Sequence, residues 1–344
     1  MNSGNKSSML RVKGNKILNE SGENVRLLGA NRAGLEWTSK DELILESVIY
    51  ACDKWNCNII RLPVAQDRWF GFAPEQQDDD VNGEKYREKV DGIINALLER
   101  QKYMILDMHW NDMNEWGNNI AQHCMPDMNT LFFWKDAAKR YKNNPAVLFG
   151  IYNEPHSVSW DVWKNGGEVT ENIKNRSTQE TKEHKYYTPG IQKIADAIRA
   201  QGAQNILVIG GLDWGFTLEE ICGGYEIDDK NGNGIIYDSH VYPWKPLDWD
   251  KYTAAVAAKH PILIGEFGHY GDEANPREGK QSFKSEEWMK RILNWIDEHQ
   301  YHFTAWDFHP SAGPCLIKNF DNEPTEYLGV YVKDYLKNAN NKNI

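Results

Sequence analysis

Eight short apolar runs, most of them separated by stretches of helical periodicity, constrain this chain more than any other feature. The runs occupy residues 25–29, 58–62, 103–107, 147–151, 206–209, 235–238, 262–264 and 303–306. Runs this short, apolar and bounded by Gly, Pro or polar residues read as strands buried on both faces, as in a parallel sheet. Between them, residues 42–55, 86–101, 129–141, 189–201, 249–260 and 285–299 repeat apolar side chains every three to four positions, as amphipathic helices do. The helical pattern after the fifth run, at 216–224, is the shortest. Strand and helix alternating up to eight strands predict a (β/α)8 barrel, the TIM-barrel class of α/β fold. A doubly wound open sheet is the alternative, but no GxGxxG follows the first run. Residues 10–12 and 16–18 flank a turn at Lys13-Gly14-Asn15 and predict a small hairpin covering the amino-terminal mouth of the barrel. We expect one domain over 1–344, with the hairpin within 1–24, the barrel over about 25–336 and a frayed tail at 337–344.

Two of these runs lead into a glutamate, in Ile151-Tyr152-Asn153-Glu154-Pro155 and Ile264-Gly265-Glu266-Phe267-Gly268. The carboxyl ends of barrel strands are where chemistry sits, so two glutamates on two such ends point to one shared site. Other runs end in residues of the same kind. The second ends in Arg61-Leu62-Pro63, the third in Asp107-Met108-His109-Trp110, the sixth leads to His240-Val241-Tyr242 and the eighth ends in Trp306.

Taken together and in this order, these motifs resemble glycoside hydrolase family 5, the (β/α)8 cellulase and mannanase family, from about Leu27 to Trp306. The resemblance implies that Glu154 is the general acid/base and Glu266 the nucleophile. It implies supporting and substrate-binding roles for Arg61, His109, Asn153, His240, Tyr242 and Trp306, with none of that set missing. Retaining hydrolysis needs one carboxylate to attack the anomeric carbon and one carboxylic acid to protonate the leaving oxygen. On this basis Arg61 and Tyr242 are expected to hold Glu266 ionised, and Glu154, beside an anion, to have a raised pKa. Asn153 is expected to donate to the sugar 2-hydroxyl, and Trp306 to form the floor beneath the sugar. Structural roles remain open for several of these, with Arg61 in a buried ion pair, His109 and His240 as core histidines lying beyond their strands, and Tyr242 in packing.

Fourteen tryptophans are several-fold more than usual abundance gives, which favours ring stacking on a ligand as well as core filling. Trp37, Trp110, Trp116, Trp214 and Trp244 are candidate sugar platforms. Two long loops, 111–127 and 157–187, follow the third and fourth strands and are expected to wall a cleft, although 168–185 is polar enough to be a solvated insertion. With a net charge of −11 and no basic run longer than a pair, the chain lacks a nucleic-acid footprint. No run approaches the ~18 apolar residues of a membrane span. The partner expected is a polysaccharide or oligosaccharide, acted on by a monomer.

Five cysteines without CxxC spacing signal neither a zinc site nor a dense disulfide framework, one bridge being left open. Residues 229–234 match the opening of a calcium loop, yet the twelfth position is His240 where a glutamate is required. We therefore expect a plain turn there, and no metal or cofactor. Residues 1–8 lack the apolar core of a signal peptide, which fits a secreted mature chain and equally a cytoplasmic one.

The function expected is a retaining endo-β-1,4-glucanase acting on cellulose-like or mixed-linkage glucan. A β-mannanase or xyloglucan-active enzyme of the same family is the near alternative. A non-catalytic carbohydrate-binding barrel and a metal-dependent hydrolase using Asp107, His109 and His240 are the distant ones.

Overall fold

Backbone order in the computed structural model, which describes residues 7–40, 42–76, 80–174, 180–272 and 283–340, follows the alternation in the sequence. β1 (Arg11–Lys13) and β2 (Lys16–Leu18) pair antiparallel around Gly14, whose φ of +60° is a left-handed conformation that glycine adopts without steric cost. Next come β3 (Leu28–Asn31), α1 (Ile44–Trp55), β4 (Ile59–Ala65), the short α2 (Gln66–Phe70), α3 (Glu84–Glu99), β5 (Tyr103–Trp110), α4 (Met128–Tyr141) and β6 (Val147–Gly150). The next segment holds α5 (Trp160–Asn165), the strands β7 (Gly167–Lys174) and β8 (Thr181–Thr188), α6 (Ile191–Ala200) and β9 (Leu207–Gly210). The chain continues through β10 (Ile235–Val241), α7 (Trp249–Ala257), β11 (Ile262–Phe267), α8 (Ser285–Glu298), β12 (His302–Ala305) and α9 (Gly329–Asn340).

β3, β4, β5, β6, β9, β10, β11 and β12 close a parallel barrel, with β12 pairing back to β3. Alternation along each strand sorts the side chains into two cores. Leu28, Ile60, Leu62, Met104, Leu106 and Phe149 join the layer beneath the helices. Ile59, Ile105, Leu148, Val208, Ile236 and Leu263 form a second cluster, the floor of the barrel. Leu10 and Ile17 of the hairpin belong to that floor, and the Val12 amide donates to the Asn233 carbonyl at 2.7 Å. The hairpin therefore closes the amino-terminal mouth as its sequence predicts, and each such fully buried side chain stabilises by about 1.5–3 kcal/mol.

The differences from expectation have physical causes. Residues 216–224 form only a single 3-10 turn, at Ile221–Gly223. The loop at 157–187 is partly regular: Ser159 accepts from the Val162 amide to cap α5, and β7 pairs antiparallel with β8. The buried side of that pair sets Val169 and Tyr186 next to Glu171 and His184, so its apolar alternation is broken and leaves no clear signal. The expected tail is helical as far as Asn340, since α9 buries Val332 and Leu336, and 341–344 lie outside the described residues. β4, β5, β10 and β11 each run three residues past the predicted ends, because β4 stays paired with β5 as far as Ala65–Trp110 and β10 with β11 as far as Val241–Phe267. His109 and His240 accordingly lie within β5 and β10 rather than beyond them. All five cysteines are free thiols.

At the start of β12, the His302 Nδ1 accepts the Leu27 amide at 3.0 Å and must be unprotonated to do so. Burial, aided by the nearby Arg26 charge, pushes its pKa down to about 3. The unfolded chain takes up this proton near pH 6.5, whereas the folded chain resists it. Stability from this group is complete above that pH and is lost as pH falls towards 3, by at most about 1.4 kcal/mol per pH unit. We expect His302→Asn, which keeps an acceptor, to show a shallower fall of Tm on acidification than the wild type. Equal slopes would mean that another group titrates.

Candidate active site

Strand ends alone do not bring the two glutamates together. Ile262 and Ile264 face the helices and Leu263 faces the barrel floor, so plain alternation would turn Glu266 outward. The register prevents this: Asp238 matches Leu263 while His240 matches Glu266, so three steps on β11 cover two on β10. Such a bulge redirects a side chain. Gly265 sits at the bulge and donates its amide to Asp238 Oδ1 at 2.8 Å, where a Cβ would come within 2.3 Å of that oxygen. Asn31 Nδ2 and Thr304 Oγ1 donate to the Gly265 carbonyl at 2.8 and 2.7 Å, which fixes the bulge from the β3 and β12 side. After β6, Glu154 has a φ of +49°, a conformation costing a non-glycine residue roughly 1–2 kcal/mol.

Arg61 is the hub. It is 2% exposed and fully ringed by acceptors: Nη1 donates to Glu266 Oε1 at 2.7 Å and to Asn31 Oδ1 at 2.9 Å. Its Nη2 donates to Asn153 Oδ1 at 2.6 Å and pairs with Asp107 Oδ1 at 3.0 Å. Tyr242 donates its hydroxyl to the other Glu266 oxygen at 2.9 Å. His240 Nδ1 lies 3.0 Å from Glu154 Oε1 and 3.5 Å from Glu266 Oε2, while its Nε2 lies 3.3 Å from Asp238 Oδ2. An oxygen of Glu154 and one of Glu266 fall within 4.8 Å of each other. His109 Nδ1 bonds Asp107 Oδ2 at 2.6 Å, and its ring stacks on Trp306 at 5.5 Å and 14°.

Protonation follows from these contacts. Burial alone would depress His240, but Glu266 and Asp238 outweigh it and push its pKa up to about 10. Burial likewise pushes Asp107 up, and Arg61 followed by His109 outweighs it, holding this carboxyl below its ordinary value. For Glu154, burial is overcome by the His240 bond and charge, and the group is held low. For Glu266, burial and the Glu154 charge prevail over His240 and Arg61, and the group is raised. Both directions are opposite to those expected, because Glu154 has the imidazolium at bonding distance while Glu266 is sealed deeper.

Glu154, His240 and Glu266 are also the one cluster of three ligand-type side chains that converges among the described residues. Both His240 nitrogens face carboxylates and carry protons near neutral pH, leaving no lone pair for a cation. This donor set suits acid/base chemistry. In the 229–234 turn, Asp229 accepts from Arg199 Nε at 2.9 Å and from the Gly234 amide at 2.8 Å.

The cleft above the pair is lined by His109, Asn153, Tyr242 and Trp306, and by Trp214, Trp244, Lys245 and Tyr270 on its flanks. Trp244 stacks on Tyr242 at 4.6 Å and 5°, and Trp214 lies flat on His156, whose Nδ1 donates to the Glu154 carbonyl at 2.8 Å. Of the candidate platforms, Trp214 and Trp244 therefore reach the cleft. Trp37 does not line it and donates to Glu42 Oε2 at 3.1 Å; Trp116 packs on Phe72 at 4.7 Å, and Trp110 is half-buried at the end of β5. Asn31, Gln122, Asp238 and Tyr270 are site residues that the sequence reading missed. Asn31 ends β3 and Asp238 ends the sixth apolar run, and the rule that found Arg61 could have found them. Gln122 and Tyr270 lie in loops, where no periodicity marks them.

A family model described as cellulase (glycosyl hydrolase family 5) matches residues 18–312. An endoglucanase of Paenibacillus polymyxa is 25% identical, over 88% of this chain and 80% of its own length. The cellulase CelDZ1 of a Thermoanaerobacterium species is 24% identical, over 84% of this chain and 69% of its own. Among solved structures, the β-glucanase SdGluc5_26A of Saccharophagus degradans in complex with cellotetraose superposes with a TM-score of 0.76 at 21% identity, covering 97% of this chain and 94% of that one. That likeness agrees with the barrel seen here.

Proposed function

The chain belongs to glycoside hydrolase family 5 and is a glycoside hydrolase, and from that premise we propose that it cuts β-1,4-linked glucan within the chain, with retention at the anomeric carbon. The observation that carries this reading is the carboxylate pair. Oxygens within 4.8 Å suit direct attack, whereas inverting enzymes need roughly 6.5–9.5 Å to admit a water. The glucosyl ring lies on Trp306 with its anomeric carbon over Glu266 and its glycosidic oxygen at Glu154. Sugar binding excludes water from the pair and brings an acceptor to Glu154. With the sugar in place Glu154 carries the pair's one proton, and Glu266 keeps Arg61 and Tyr242 as donors to its ionised form.

Glu154 gives that proton to the leaving oxygen as a Glu266 oxygen bonds to the anomeric carbon and the glycosidic bond breaks. In the second step, Glu154 takes a proton from water, the water oxygen attacks the same carbon, and the ester electrons return to Glu266. Asn153 supplies an N–H to the 2-hydroxyl, and this contact strengthens as positive charge builds on the sugar. Activity should follow a bell in pH whose limbs belong to the pair as a unit. The relatives named as endoglucanases and the aromatic flanks of the cleft support a glucan chain as substrate. A polymer of that size cannot enter a cell, so we read the enzyme as acting outside one, as a monomer. Among the described residues, no helix is long and apolar enough to cross a membrane.

Reducing-sugar release with chain-length analysis on carboxymethyl-cellulose, mixed-linkage glucan, xyloglucan, glucomannan and pure mannan tests the proposal. Rapid shortening of the glucans is expected. Preference for mannan would keep the two-step chemistry and change the substrate, and silence across the panel would overturn the reading.

A further inference from the structure

One residue of the 111–127 loop turns both ends of its side-chain amide on Asn153. Gln122 Oε1 accepts Asn153 Nδ2 at 2.6 Å, while its Nε2 donates to the Asn153 carbonyl at 2.7 Å and to the His123 carbonyl at 3.1 Å. The direction of these bonds is forced. Arg61 can only donate, so the Asn153 atom facing it at 2.6 Å is oxygen, and the amide nitrogen faces Gln122. The Gln122 nitrogen then meets two carbonyls that can only accept.

The loop is itself held by the hairpin β7–β8. Glu171 on β7 accepts the Cys124 amide at 3.1 Å and pairs with His123 Nδ1 at 3.0 Å. The hydroxyl of Tyr186 on β8 accepts the Met125 amide at 3.0 Å and donates to the Met125 carbonyl at 3.1 Å. Burial pushes Glu171 up, but its bond to His123 outweighs this and keeps the carboxylate charged. Bonds from the hairpin thus reach three consecutive residues, His123 to Met125, immediately after Gln122.

We propose that Gln122 is a positioning residue of the reaction: by gripping both the side-chain amide and the carbonyl of Asn153, it aims the remaining Asn153 N–H at the sugar 2-hydroxyl. This rests on the retaining-glucanase reading of the same site. Without Gln122, the Asn153 oxygen stays on Arg61 but its nitrogen has no fixed partner in the protein. The contact it makes is strongest in the transition state, so the loss falls on kcat more than on KM.

The test compares Gln122→Ala and the similarly sized Gln122→Met, in wild-type and Asn153→Ala backgrounds, on mixed-linkage glucan oligosaccharides. In the wild-type background we expect kcat to fall ~10- to 100-fold, a span typical of lost supporting contacts, with KM within about threefold. In the Asn153→Ala background the same substitutions should change kcat by less than about twofold. Unchanged kcat in the wild-type background, or equal losses in both backgrounds, would overturn the proposal. Gln122→Met fills similar space but neither accepts from Asn153 Nδ2 nor donates to the Asn153 carbonyl, so it gives the same information if Gln122→Ala does not fold. A second readout needs no turnover. The Asn153 side-chain NH2 resonances, identified by their absence in Asn153→Ala, should lose their hydrogen-bonded downfield proton in Gln122→Ala. If they stay in place, Gln122 does not position Asn153, whatever the substrate. Inactivity of the wild type on glucan, by contrast, would overturn only the substrate reading.

Discussion

Glu266→Ala is expected to lower kcat on β-glucan by at least ~10,000-fold while oligosaccharide binding persists, because the substitution removes the atom that bonds to the anomeric carbon and leaves the cleft lining intact. The vacated space lies between Arg61 Nη1 and the Tyr242 hydroxyl, two donors that bonded the lost carboxylate. A small anion fits that environment. Added azide with an activated aryl cellobioside should therefore restore turnover and give the α-glycosyl azide, azide having attacked from the nucleophile's side. In Glu154→Ala the glycosyl-enzyme still forms from such a substrate, and azide should then give the β product. Exchange of these two outcomes would reverse the assignment of the glutamates. Loss of binding along with turnover in folded Glu266→Ala would count against its role as nucleophile.

The second large effect is on stability. Arg61→Met keeps much of the side chain's length but strips Glu266 and Asp107 of their buried counter-charge and leaves Asn31 Oδ1 and Asn153 Oδ1 without this donor. Breaking one side of a buried ion pair costs about 3–5 kcal/mol. The sign of the pH dependence follows from Asp107, whose carboxyl is held low against burial chiefly by Arg61. A carboxyl held low in the fold contributes stability above its unfolded pKa near 4 and loses it as pH falls through the folded value. The gap between wild type and Arg61→Met should thus be widest near neutrality and narrow in acid, as read by urea titration across pH. A gap independent of pH would mean that lost packing, and not lost charge, sets the cost. Arg61→Lys should rescue little, because one ammonium cannot reproduce a planar fork that meets four acceptors.

The barrel was legible because its signal is repeated. Each short apolar run is ambiguous alone, but eight of them alternating with amphipathic stretches leave few architectures, and the hairpin turn at Gly14 carries its own local chemistry. Residues at strand ends were legible for the same reason: Arg61, His109, Asn153, His240, Tyr242, Glu266 and Trp306 all lie where a parallel barrel presents side chains to a ligand. The hairpin β7–β8 was not, since polar strands leave no period in hydrophobicity, and α9 was missed because its short apolar stripe follows an irregular stretch.

The sequence by itself thus determined the class of fold, the end of the barrel that bears the site and the kinds of side chain gathered there, because hydrophobic period and strand polarity are local properties. Tertiary structure alone decided which of those side chains meet. The extra residue at Gly265 turns Glu266 inward against the alternation of its own strand, and Asn31, Asp238 and Thr304, on three other strands, hold that bulge. Gln122 reaches Asn153 only because the loop carrying it is held by a hairpin that begins 45 residues further along (167 − 122). The electrostatic surroundings of the two glutamates were also set there. Which carboxylate is raised depends on how close an imidazolium lies to one and how deeply the other is sealed, and neither distance nor depth is written in residue spacing.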